Sequence, residues 1–117
     1  MTKPALTKIV RAALLAQLVV PALAEAAPPD WPQEKCRRYA RDWEEGLSRF
    51  GREGLSDAFV AANEDFVHSG CSAARAACPS TPKDMRLADV LAMRVVNAGM
   101  STTFLPFDCP GWHNNKP

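Results

Sequence analysis

The chain has 117 residues, with 14 Lys/Arg against 13 Asp/Glu, four cysteines and 47% hydrophobic residues. The balanced charge, with no basic block, excludes the electrostatic footprint of a nucleic-acid binder and weakens any case for docking on anionic lipid. The length allows one small domain, whose core is marginal without covalent help.

Residues 1–24 have the pattern of an export signal. Lys3, Lys8 and Arg11 precede the apolar run 12–20, Pro21 breaks that run, and Ala22-Leu23-Ala24 forms a small-x-small cleavage site. Ala24-Glu25-Ala26 offers a second cut just beyond it. The run is about half the ~20 apolar residues a membrane-spanning helix needs, so no membrane anchor is expected once the signal is removed. Neither cut leaves a Cys at the new N-terminus, which argues against lipidation. Cleavage after Ala24 leaves 93 residues with 11 Lys/Arg and 13 Asp/Glu, a formal net charge of −2. The expected location is the periplasm or the exterior. All four cysteines survive cleavage, and an even count in a short exported chain reads as two disulfides.

Residues 25–31 read as an extended, proline-rich leader, and residues 32–117 as a single helical domain. Asp30 is expected to cap the first helix in a capping box with Gln33, with Pro32 in the first turn. Cys36, Tyr39, Ala40, Trp43, Leu47 and Phe50 then step by three and four along one stripe. The opposite face carries Arg38, Arg41, Asp42, Glu45 and Arg49, a solvated face laced with i,i+4 pairs such as Glu34–Arg38 and Glu45–Arg49. Gly51 stops this helix. Ser56 caps a second one running to about Ser69, with Gly70 as its stop. Residues 72–78 can make two further helical turns before Pro79. Thr81, Pro82 and Asp84 form the best start signal in the chain, opening a third helix that runs to about Ala98. Met85, Leu87, Ala88, Val90, Leu91, Ala92, Val95 and Val96 cover most of its circumference, so it is expected to be the central, most buried helix. From Met100 the period vanishes, and Pro106 and Pro110 exclude a helix. This end is expected to fold back as an extended strap. The fold class is therefore all-α, a small helical bundle stapled by disulfides.

Hairpin geometry selects among the three pairings that four cysteines allow. Cys36 and Cys71 are placed symmetrically about the turn at residues 51–54, so two antiparallel helices bring them level. The third helix rises ~25 Å, and residues 99–109 can span roughly 33 Å, enough to return Cys109 to Cys78. The expected pairs are Cys36–Cys71 and Cys78–Cys109.

Few residues suggest chemistry. Glu64, His68 and Cys71 have a spacing that resembles a zinc ligand set, but Gly70 interrupts the helix and Cys71 is expected to be oxidised. Neither His68 nor His113 sits in a catalytic motif, and the cysteines lack redox spacing. Met85, Met93 and Met100 read as core filler rather than copper ligands. No cofactor is expected. Trp31, Phe107 and Trp112 lie in the non-periodic ends, either as a lid over the core or as anchors for a partner. The leading expectation is a non-enzymatic exported module that binds another protein, of chaperone, inhibitor or immunity type. The alternative is metal handling through His, Met or Cys ligands.

Overall fold

The computed structural model describes residues 30–112; the expected signal (1–24), residues 25–29 of the expected leader and His113 lie outside them. Within that span the chain is all-helical. Three helices, α1 (Trp31–Phe50), α2 (Asp57–His68) and α3 (Pro82–Asn97), are followed by one 3-10 turn at Thr102–Phe104. No described helix is long and apolar enough to cross a membrane.

Helix α1 buries Cys36, Tyr39, Trp43 and Gly46, a three-and-four spacing that turns one stripe inward. Its expected capping box does not form. Asp30 has φ −104° and ψ 37° and makes no side-chain cap bond. A cap needs extended backbone to aim its oxygen at the next amides, and Pro32 offers no N–H there. The Asp30 backbone carbonyl still accepts from the Glu34 N–H at 3.0 Å, and Trp31 joins the first turn instead of the leader.

Gly46 was not legible as a core residue, yet it sets the approach of α1 to α3. A Cβ added there would stand 2.7 Å from Leu87 Cδ1, and Leu87 is fully buried. Overpacking of about 1–3 kcal/mol outweighs the ~1 kcal/mol by which alanine improves on glycine in a helix. Gly46→Ala is thus expected to lower the urea midpoint, with a net loss of about 1 kcal/mol and an unchanged m-value.

Helix α2 is capped by the Ser56 hydroxyl, which accepts from the Phe59 N–H, and it buries Phe59, Asn63 and Phe66. The one polar member is satisfied. Tyr39 donates its hydroxyl to Asn63 Oδ1 at 2.6 Å, and Asn63 Nδ2 donates to the Phe59 carbonyl at 2.8 Å. Burial, with the Asp42 charge adding to it, pushes the Tyr39 phenol far up, so it stays a donor. Around this pair Tyr39 meets Phe66 and Phe104 edge-on, and Trp43 meets Phe59.

Helix α3 opens with the full capping box between Thr81 and Asp84 and buries Asp84, Leu87, Ala88, Leu91 and Val95. It is one-sided rather than apolar all round its buried surface. Met85, Met93 and Val96 are 55%, 66% and 53% exposed, so the first two are not core filler, while Met100 is buried. The bundle offers α3 only one neighbouring surface, built by α1, the 3-10 turn and the strap, and its opposite side is left to solvent.

Residues 72–78 form no helix. The chain leaves α2 through Gly70 (φ 70°) and Cys71 (φ 60°), two left-handed residues in a row. The Ser69 hydroxyl then accepts from the amides of Ser72 and Ala73, fixing the turn that leads the chain out of α2. Further on, the Ala77 N–H donates to the Pro106 carbonyl at 2.9 Å, and the Asp108 N–H to the Ala77 carbonyl at 3.3 Å. The strap therefore runs beside this segment as a short extended pair. It also holds one turn the sequence did not signal, because the Ser101 hydroxyl accepts from the Thr103 N–H and starts the 3-10 turn.

Two disulfides close the fold, Cys36–Cys71 (Cα–Cα 5.5 Å) and Cys78–Cys109 (Cα–Cα 4.6 Å). The first ties the start of α1 to the end of α2. The second ties the strap to the segment ahead of α3.

Candidate functional site: a groove between the strap and helix α3

The Cys78–Cys109 bond and the backbone pairing at Ala77 lay the strap across α3 without filling the space between them. A groove of about 670 Å³ remains. Ala88 and Ala92, two small residues one turn apart, form its α3 wall, and Phe107 and Cys109 form the strap side. Phe107 is half-buried and stacks on Phe59 at 5.9 Å, so the groove floor is continuous with the core. Trp112 stands at the rim, 70% exposed. Arg75, Asp89 and Asp108 supply charge around an otherwise apolar lining. Concave, mostly apolar space with a few polar groups is the usual form of a binding site.

The structure brings two of the three expected aromatic residues to this place. Phe107 and Trp112 line the groove. Trp31 does not. It packs against the core at the start of α1, where the Arg38 guanidinium lies 5.2 Å from its ring centroid. Sequence reasoning missed Arg75, Ala88, Asp89, Ala92 and Asp108. The alanines were legible as helix positions, but only the course of the strap places them at a groove.

The charged face of α1 is less solvated than its pattern suggested. Arg94 of α3 makes two bonds to Glu45, at 2.8 and 3.1 Å, and one to Asp42 at 3.1 Å. The guanidinium holds the Glu45 carboxyl below the usual carboxylate range. Glu34–Arg38 and Glu45–Arg49 form as i,i+4 pairs. Arg94 is thus the polar clasp that sets α3 on α1.

The residues weighed as metal ligands do not converge. Glu64 is engaged by Arg52 at 2.8 Å, His68 is exposed at the end of α2, and Cys71 is oxidised. Among the described residues no group of three or more His, Cys, Asp or Glu side chains could hold a metal ion. Met85 and Met93 face solvent while Met100 faces the core.

The chain matches no family model, no curated protein and no solved structure.

Proposed function

We propose that this is a small exported protein, periplasmic or secreted, that works without catalysis by binding another protein at the groove between the strap and α3. The observation that carries this reading is Trp112. A largely exposed indole beside a preformed apolar groove has the character of an interface anchor, since Trp is enriched among the few desolvated residues that carry most binding energy. The apolar floor calls for an apolar side chain from the partner. Arg75 and Asp89 at the edges favour polar groups of both signs beside it. Export is supported by the signal-like N-terminus together with two disulfides, which persist in oxidising compartments. A role of chaperone, inhibitor or immunity type fits this format.

Affinity capture from the native host, with wild-type protein and Trp112→Ala side by side, tests the reading. Trp112 packs little within the fold, so its removal is expected to change stability by less than about 0.5 kcal/mol. A defined partner retained by the wild type should be lost or weakened at least about tenfold in the variant, as expected for truncating an anchor. Equal retention by both proteins would contradict the proposal.

A further inference from the structure

The outer face of α3 adjoins the groove, sharing Asp89 and Ala92 with it, and carries exposed apolar side chains that the groove does not use. Four large hydrophobic side chains are exposed among the described residues, and three of them, Met85, Met93 and Val96, lie on this one helix. At 100° per residue, Met85, Asp89, Ala92, Met93 and Val96 fall within about 100° of arc. That arc lies away from the buried edge of Leu87, Leu91 and Val95. Met85, Met93 and Val96 thus form an exposed apolar stripe with one carboxylate, Asp89, set within it, and such a stripe on so small a protein marks a contact surface.

Its charges identify the occupant. On α3 itself, Arg86 stands at the edge of the stripe and Asp89 within it, three residues apart; both are exposed, and no ion pair engages either among the described residues, while Arg75 and Asp108 lie on the groove side. One positive and one negative group on the same helix face are self-complementary under a twofold axis. We infer that α3 pairs antiparallel with α3 of a second copy, Arg86 of each chain meeting Asp89 of the other. Full overlap of the two helices would instead set Asp89 beside its own twin across the axis, which like-charge repulsion disfavours. Shifting the register by one turn removes that clash and forms two Arg86–Asp89 pairs. It then lays Met93 over the partner helix's first turn and Met85 over its middle. The overlapping stretch, residues 82–93, is about 18 Å long. So short a contact makes a weak dimer, at the small end of specific interfaces. This inference does not rest on the proposed partner at the groove.

Sedimentation velocity on the processed, oxidised protein tests it, over roughly 10 µM to 1 mM, a range that brackets weak association. The wild type is expected to shift from monomer to dimer with concentration. Asp89→Arg and Arg86→Asp should each weaken association about tenfold or more, since each sets like charges together. The double variant Arg86→Asp/Asp89→Arg exchanges the signs and should recover wild-type association to within about threefold, as coupled pairs do in double-mutant cycles. Met93→Glu should leave a folded monomer. All three substituted positions are exposed, and circular dichroism checks that each of the four variants is folded. A wild type that stays monomeric throughout, a dimer indifferent to the single charge reversals, or a folded double variant that fails to recover would each overturn the inference. A monomer that still captures a partner through Trp112 sinks this inference alone. A wild type that dimerises, together with a folded Met93→Glu monomer that captures nothing, sinks the groove reading alone.

Discussion

Asp84→Ala is expected to destabilise the protein by about 3–5 kcal/mol, the range for breaking a buried, charged hydrogen-bond network. Asp84 is fully buried, and five donors converge on it. Ser56 gives its backbone N–H at 3.0 Å and its hydroxyl at 2.6 Å; Ser80 gives its N–H at 3.0 Å and its hydroxyl at 3.3 Å; Thr81 gives its N–H at 3.2 Å. One carboxylate thus fastens the start of α2 to the start of α3. Alanine would take the acceptor from three backbone amides and two hydroxyls, those of Ser56 and Thr81 half-buried and those of Ser80 nearer to water. Against a total stability of about 5–15 kcal/mol, that loss places the variant near unfolding at physiological temperature. Asp84→Asn keeps one acceptor oxygen and should lose less. Urea unfolding of the three proteins at pH 7 reads the order wild type, Asn, Ala.

The same network predicts an acid response. Burial acts to raise the Asp84 pKa, but the bonds from Ser56, Ser80 and Thr81 outweigh it and hold the carboxyl below its usual value. A carboxylate depressed in the folded state adds stability that is fully present above the unfolded value of about 3.9 and is lost as pH falls through the folded one. Stability should therefore fall below about pH 4 in the wild type. In Asp84→Asn, already weaker at neutral pH, the fall over that interval should be shallower. Parallel curves for the two proteins would contradict the assignment.

Removing the disulfides one at a time should separate folding from the groove. Each closes a loop of similar length, with sequence separations of 35 and 31. Each is therefore expected to contribute about 3–4 kcal/mol in the chain-entropy account. Cys36→Ala/Cys71→Ala frees the end of α2 and leaves the strap where it is. Cys78→Ala/Cys109→Ala loosens the strap, which then depends on the two backbone bonds at Ala77 and on the packing of Leu105 and Phe107 against the core. Thermal unfolding should show comparable losses for both double variants. At a temperature where both are folded, partner capture should survive the first and fail in the second. Equal capture by both would show that the strap needs no clamp.

Much of the architecture was legible because local signals agreed with the global packing. Ser56, Thr81 and Asp84 announced their helices through caps that the structure contains, and the turn at residues 51–54 put Cys36 level with Cys71. The features that escaped depend on distant neighbours. Asp84 was readable as a cap, but not as the acceptor for Ser56, 28 residues away. The apolar periodicity of α3 could not say which side would find a partner inside the bundle, so Met85, Met93 and Val96 were placed in a core they do not enter. Residues 72–78 have good helix propensity. That preference loses to the left-handed turn at Gly70 and Cys71 at one end and the strap backbone at the other. Asp30 had the right residue type in the wrong backbone conformation. Of the groove, Phe107 and Trp112 could be singled out as aromatic residues without a helical period. Its α3 wall could not, because Ala88 and Ala92 acquire meaning only from the strap laid across them.

Two sulfur crosslinks in one specific pairing underlie the bundle, the strap and the groove alike. The most direct test is mass spectrometry of protein recovered from its native host, alkylated without reductant and then digested. The structure requires unmodified cysteines and two linked peptide pairs, one joining Cys36 to Cys71 and the other joining Cys78 to Cys109. Four alkylated thiols, or a link between the two pairs, would contradict it.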